Sequence, residues 1–208
     1  MSYYCSSMAR YRGPKDKLSR RYGEVLNGMP VFDIAKRPYK AGMHGQRRAK
    51  PSEYSILLSE KQKLRFSYGV IQEKQFRKYV DKASRDKGPT GEVLMQLLET
   101  RLDNIVFRMG FANTTAAARQ LVTHGHILVN GYKVDVPSYR VFPGDIVSVK
   151  EKSRKIPALQ ESMKNWVDAL PYIKRDKEEF HGELTEVPDR KEIPVPVNEI
   201  MIVEYYSR

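Results

Sequence analysis

The sequence predicts an α+β chain: a mostly helical body, a small helix-helix-hairpin module of about fifty residues, and a basic, irregular arm ahead of both. Three observations carry this. Apolar residues recur at three- and four-residue spacings from Pro51 to His124, the signature of helices packed on one face. The period then switches to two on either side of Asn130-Gly131. The charge is unevenly placed: the 208 residues carry 37 Lys+Arg against 25 Asp+Glu, net +12, and residues 1–50 alone hold 12 basic against 3 acidic. Residues 151–208 hold 10 and 12. The basic excess therefore belongs to an arm, and the body behind it is near neutral.

The arm, residues 1–50, shows no sustained period and is punctuated by Gly13-Pro14, Lys36-Arg37-Pro38 and Gly42 to Gly45. Tyr4, Tyr11, Tyr22, Phe32 and Tyr39 are interleaved with its cations. Solvating tails are poor in aromatics, so this segment is expected to order against a partner. Pro51-Ser52-Glu53 opens a helix with Tyr54, Leu57, Leu58, Lys61, Leu64, Arg65 and Tyr68 at helical spacing, stopped by Gly69. A second helix is expected over about 72–86 on the stripe Phe76, Tyr79, Val80 and Ala83. After Lys87-Gly88-Pro89 a third helix is expected, with Thr90 as its N-cap, running through Val93, Leu94, Leu97, Leu98, Leu102, Ile105, Val106 and Met109 to Gly110. A short helix follows at about 114–124, capped by Asn113 or Thr114 and ended by Gly125.

Ile127 to Val129 and Tyr132 to Val134 flank Asn130-Gly131, the pair that favours a two-residue hairpin turn. Ile146 to Val149 adds a strand after Pro143-Gly144-Asp145, and 157–170 reads as one more amphipathic helix. The acidic stretch 174–192 is expected to be an exposed loop. The closing Ile200 to Tyr206 is expected to be a strand that packs back on the helical region. The division is then 1–50 arm, 51–100 first part of the helical domain, 101–155 module, and 156–208 a C-terminal segment.

Several function classes are excluded by residue content. No stretch of about 18 apolar residues stands in the chain, and the N-terminus lacks the apolar core of a secretory signal, so neither membrane nor export is expected. The single Cys fits a reducing, cytoplasmic setting. No phosphate-cradling Gly-rich motif, His-Glu-x-x-His or cluster of four Cys/His is present, and no cofactor, metal or catalytic residue is expected. A pI near 9.7 points instead to an anionic polymer. Arg108, Arg119, Gln120, His124, Lys133 and Arg140 are spread through the module and together suit the phosphate backbone of folded RNA.

Longer motifs carry a family resemblance. Met8 to Pro14, Gly42 to Gln46, Arg101 to Phe111, Ala118 to Val122, His124 to Gly131 and Val203 to Arg208 resemble bacterial ribosomal protein S-four of the small subunit. The resemblance starts at Met8, so Met1–Ser7 stands ahead of the family's usual start. It implies a mostly helical domain into which the small helix-helix-hairpin RNA-binding module is inserted. It further implies binding to a multi-helix junction in the 5′ domain of 16S rRNA, early in assembly of the subunit body. Contacts with ribosomal protein S-five that bear on decoding accuracy, other small-subunit proteins, and a position near incoming mRNA follow from the same source. Some members also repress their own mRNA. By motif, rRNA contacts are expected from Arg10, Arg12, Arg20, Arg21, Arg37, His44, Arg47, Lys61, Lys63 and Arg65, besides the six module residues. Some members hold zinc with four arm cysteines; Asp16, Ser19 and Asp33 stand in that region here, which implies the zinc-free form. A rival reading rests on Arg101-Leu102-Asp103, which resembles the signature around the catalytic aspartate of a pseudouridine synthase family.

Overall fold

A computed structural model describes residues 13–26, 28–29, 34–47, 50–165, 170–176 and 180–207. The elements run α1 (Lys15–Tyr22), α2 (Glu53–Ser67), α3 (Glu73–Ala83), α4 (Thr90–Glu99), α5 (Leu102–Arg108), α6 (Thr115–Thr123), β1 (Ile127–Val129), β2 (Tyr132–Lys133), β3 (Ile146–Val149), α7 (Pro157–Asn165), β4 (Ile173–Asp176), β5 (His181–Leu184) and α8 (Glu199–Ser207). Among the described residues no helix is long and apolar enough to cross a membrane.

The arm is not irregular throughout. Pro14 and Gly23 bracket eight residues, enough for two turns of α1, with Asp16 in the first turn and Arg20 and Arg21 in the last. Gly23, at φ 75°, returns its N–H to Ser19 O at 2.9 Å.

Two apolar cores are built. The first half of the helical body, α2 to α4, packs with α8 around Leu64, Phe76, Val80, Leu94, Leu98 and Ile202. Ser52 caps α2 by accepting from Ser55 N. The second core holds Leu102, Ile105, Val106, Met109, Phe111, Val122, Ile127, Val147 and Leu159. The long helix expected over 90–109 is therefore two. It breaks at Thr100-Arg101, where Arg101 is extended at φ −70°, ψ 140°. The break releases backbone groups to the segment that follows β2: Leu102 N donates to Tyr139 O (2.9 Å), Asp103 N to Pro137 O (3.2 Å), and Thr100 O accepts from Val141 N (2.9 Å). The continuous apolar stripe hid this, because its first half faces one core and its second half the other.

The hairpin turn has φ 51° at Asn130 and 83° at Gly131, the conformation that this pair tolerates. Asn130 is further fixed by Nδ2 donating to Asp145 Oδ1 (2.8 Å) and Oδ1 accepting from Ile146 N (2.9 Å). The sheet has five antiparallel strands in the order β2-β1-β3-β5-β4. Its last two strands correct the exposed loop expected at 174–192. Lys174, Glu183 and His181 carry the acidic and polar character of that stretch, while Tyr172, Ile173 and Leu184 are buried in the second core. The chain thus rejoins the first core near Ile193, with Val195 and Val197, rather than at residue 156. Helix α7 is described over Pro157–Asn165, and residues 166–169 of the helix expected to 170 lie outside the described residues.

The C-terminal segment packs back on the helical region, as a helix rather than a strand. Asn198 Oδ1 accepts from Ile200 N (3.1 Å) and Met201 N (3.4 Å), a cap at the start of α8. A short apolar run does not distinguish strand from helix, and here the cap decides.

The cores meet at Glu99, which is fully buried at the end of α4. Its carboxylate accepts from Tyr68 Oη, from Tyr172 Oη at 2.9 Å, and from Arg108 Nε at 2.6 Å. Burial pushes the Glu99 carboxyl up; the Arg108 guanidinium and the Tyr68 hydrogen bond outweigh it and hold the group below its usual 4.5. Burial and the Glu99 charge push both phenols up, so they remain donors. Replacing Glu99 by Gln removes the charge that faces a buried guanidinium and is expected to cost about 3–5 kcal/mol in denaturant unfolding, whereas Glu99→Leu with Arg108→Met, Tyr68→Phe and Tyr172→Phe, which takes away the cluster's polar partners together, recovers most of it. Because the carboxyl is depressed in the fold, the stabilisation it brings is complete above the usual carboxylate range and is lost as pH falls through its lowered value. Glu99→Gln should flatten that acid-side decline; an unchanged decline would assign it to other groups.

Candidate nucleic-acid interface

The basic residues divide by burial. Lys61 is buried, 4% exposed, with Nζ at 3.0 Å from Glu73 Oε1 and 4.4 Å above the Tyr205 ring. It pins α8 to α2, and Tyr206 Oη donates to the same Glu73 oxygen at 2.7 Å. Burial raises the Glu73 carboxyl, and the bonds from Tyr206 and Lys61 bring it below its usual value. Arg65 clasps the end of α2: Nε donates to Ile71 O (2.7 Å), and Nη1 reaches Glu73 Oε2 at 3.1 Å. That clasp spans Val70, whose φ of 59° is unusual for a β-branched residue. Lys63 pairs with Glu24 of the arm at 2.5 Å. Arg108, 7% exposed, belongs to the Glu99 cluster. The expected RNA contacts of Lys61 and Arg108 are thereby corrected, since both heads sit inside the protein against carboxylates. Lys63 and Arg65 are half-buried and ion-paired. From sequence, a cation on an apolar stripe reads like a solvent-facing one, because the long stem is apolar either way.

The arm presents the opposite case. Arg21, Arg37, His44 and Arg47 are exposed. Arg20 ties their loop to α1: Nε donates to Tyr39 O (3.0 Å), Nη2 to Lys40 O (3.3 Å), and the guanidinium lies 5.0 Å from the Tyr39 ring. Beyond Gly42 the chain folds through two tight turns, Gly45 N to Gly42 O (3.1 Å) and Arg47 N to His44 O (3.0 Å). The arm is seated on both halves of the protein. Besides Lys63–Glu24, Tyr22 packs on Phe66 with centroids 6.3 Å apart. On the module side Gly28 O accepts from Thr115 N (2.9 Å) and Thr115 Oγ1 (3.2 Å). A Cβ on Gly28 would lie 2.0 Å from Thr115 Cγ2, so only glycine fits. Arg10 and Arg12 lie outside the described residues.

In the module, Thr114 caps α6 through Ala117 N (3.2 Å). Gln120 and His124 are exposed one turn apart, and Arg119 is half-buried. Lys133 of β2 lies over Gly125, where a Cβ would meet its Cε at 2.3 Å, so it joins His124 at the end of α6. The His124 and His126 rings are 6.0 Å apart. Partial burial, His124 and then Lys150 push the His126 imidazole down, the mark of a positive neighbourhood. Gln120, His124, His126, Lys133 and Lys150 thus make one electropositive corner. Arg140 stands apart, bridged to Arg101 through the backbone and 5.3 Å from the Phe142 ring.

Two further sets were not singled out by the sequence reading. Lys74, Arg77, Lys78 and Arg85 are exposed on or just beyond α3, opposite its buried Phe76 and Val80; that three- and four-residue spacing of cations was legible. Lys150 was not, because β3 and the turn after α6 come together only in the fold.

The rival aspartate is not presented to a substrate. Asp103, 4% exposed, accepts from Arg101 Nε (3.0 Å) and Nη2 (2.6 Å), and Arg101 Nη1 donates to Tyr79 Oη (2.7 Å). Among the described residues no three His, Cys, Asp or Glu side chains gather as metal ligands.

Comparison with known proteins agrees with this two-part build. The family described as the ribosomal protein S4/S9 N-terminal domain matches residues 10–99, and the S4 domain matches residues 100–147. The small ribosomal subunit protein uS4 of Persephonella marina is 50% identical over 205 residues, 96% of this chain and 100% of the relative. That of Aquifex aeolicus is 49% identical over 211 residues, 97% of this chain and 100% of the relative. That of Brevibacillus brevis is 51% identical over 202 residues, again 97% and 100%. With arm, helical body, module and C-terminal helix all inside these matches, the chain belongs to the uS4 family of small ribosomal subunit proteins.

Proposed function

We propose that the chain is a structural, non-catalytic constituent of the small ribosomal subunit in the cytoplasm, and that it binds 16S rRNA directly at a multi-helix junction of the 5′ domain. In this role it nucleates assembly of the subunit body, contacts ribosomal protein S-five and other small-subunit proteins with an effect on decoding accuracy, and lies near incoming mRNA. The observation that carries the reading is the sorting of cations: one set is buried with its heads locked onto carboxylates, and another is left exposed on the arm and at the end of α6. Folded RNA is recognised by shape and backbone, and such exposed cations held at fixed separations suit phosphates at fixed separations. The contacts at Glu24, Gly28 and Arg20 hold the arm before RNA arrives, which lowers the ordering cost of binding. Among arm residues we assign phosphate contact to Arg21, Arg37, His44 and Arg47, with Arg20 in a positioning role. In the module we assign RNA contact to Gln120, His124 and Lys133, with Arg119 on the same helix, and a separate contact to Arg140.

Filter binding to a 5′-domain rRNA fragment should show tighter binding than to unrelated folded RNA of equal length, with log K falling linearly in log salt. Equal affinity for both RNAs would defeat the reading. The triple variant Arg21→Gln, Arg37→Gln, Arg47→Gln should reduce the salt slope by about 2–3, roughly one per lost phosphate contact, with the melting temperature unchanged. Lys61→Met should do the reverse. It should destabilise the chain by roughly 1.5–3 kcal/mol, as expected for a hydrogen bond to a charged group, and leave the salt slope alone. A slope that responds to Lys61 and ignores the triple would show that the cations have been sorted wrongly.

A further inference from the structure

A cleft of about 250 Å³ opens between α6 and α7, beside the electropositive corner. Its accessible floor is apolar: Ala117, Leu121 and Ile156 are partly exposed there, and Phe111 and Leu159 back them from beneath as buried members of the second core. Its rim is polar, with Gln120, His124 and His126. The Nδ1 atom of His126 is engaged by Ser153 Oγ at 2.8 Å, which leaves Nε2 as the ring atom to meet a ligand. An apolar floor under a rim of amide and imidazole suits a flat heteroaromatic ring, whose faces are apolar and whose edge carries donors and acceptors. The volume lies just under the roughly 300 Å³ at which drug-sized pockets begin, room for a single ring system rather than a run of nucleotides. Lys133, paired with Asp135 at 3.6 Å on the exposed surface, and Lys150, whose N–H donates to His126 O at 2.9 Å, stand at the same corner, which suits an occupant carried on an anionic backbone.

We propose that this cleft receives one unpaired nucleobase turned out of the bound RNA, its face on the partly exposed Ala117, Leu121 and Ile156, its edge read by Gln120 and the two histidines, and its phosphate met by Lys133 in exchange for Asp135. The inference rests on the RNA-binding reading above and deepens it. It adds a base-specific contact to an interface otherwise made with backbone, and sequence-dependent RNA recognition acts on such splayed bases. The phosphate contacts set affinity and salt dependence; the cleft sets which nucleotide stands at that point.

The test uses the full chain and the four homotetraribonucleotides of A, C, G and U as probes, read by backbone amide shifts. At least one probe should move the amides of Leu121, His126 and Ala158, with a preference among the four bases. Ala158 is exposed on α7 and lines the cleft. Filling the cleft by Ala158→Trp should abolish those shifts and lower affinity for the 5′-domain fragment on the order of tenfold, the worth of one stacked base, at unchanged salt slope. Ala158→Ser, which leaves the space open, should behave as the unaltered chain. Shifts that are absent, confined to the arm, or undiminished in Ala158→Trp overturn the proposal. If the unaltered chain does not discriminate the 5′-domain fragment, the parent reading falls. If it does and Ala158→Trp binds equally well, the cleft alone is wrong.

Discussion

Glu99 is withdrawn from water at the point where two apolar cores touch, and desolvating a carboxylate is unfavourable by several kcal/mol unless partners converge on it. Here they come from both sides: Tyr68 from just beyond α2, Arg108 from α5, and Tyr172 from the segment entering β4. Asn104 Nδ2 ties the backbone carbonyl of the same residue to α5 at 2.9 Å. The charge is satisfied only while the helical body and the RNA-binding module keep their relative placement. Rigid placement is what the rest of the molecule uses. The arm is seated on the body through Lys63 and on the module through Thr115, and its exposed cations inherit a fixed position from both.

The same residue type therefore does two kinds of work. A net charge of +12 describes a protein drawn to anions. Its distribution in the fold is more informative. Lys61, Arg101 and Arg108 face Glu73, Asp103 and Glu99 in or at the edge of the interior, and they hold helices together. Arg21, Arg37 and Arg47 face water on a limb that Arg20 braces. In the proposed function, affinity for RNA draws on the second group, and the geometry in which that group is offered depends on the first.

Much of this was legible from the residues. Ser52, Thr114 and Gly110 mark helix ends because their chemistry is local, and Asn130-Gly131 fixes a hairpin for the same reason. What escaped depends on distant neighbours. The break at Thr100-Arg101 is imposed by the Pro137 to Val141 segment, which is brought in by the hairpin. Strands β4 and β5 are only four residues each, and β5 alternates with a polar solvent face that resembles a loop. The burial of Lys61 needs Tyr205 and Tyr206, far away at the other end of the chain. The two-sided electropositive corner at His124 needs Lys133 to cross Gly125. Family motifs identified the class of protein without distinguishing which of its cations face RNA.

The central claim is that the Glu99 cluster makes body and module one cooperative unit on which the arm is mounted. Native-state hydrogen exchange on the RNA-free chain tests it most directly. Amides in α4, such as Leu97 and Leu98, and amides in α5 and β3, such as Ile105 and Val147, are predicted to open with the same free energy, equal to that of global unfolding. Two distinct opening free energies, one for each core, would contradict the account.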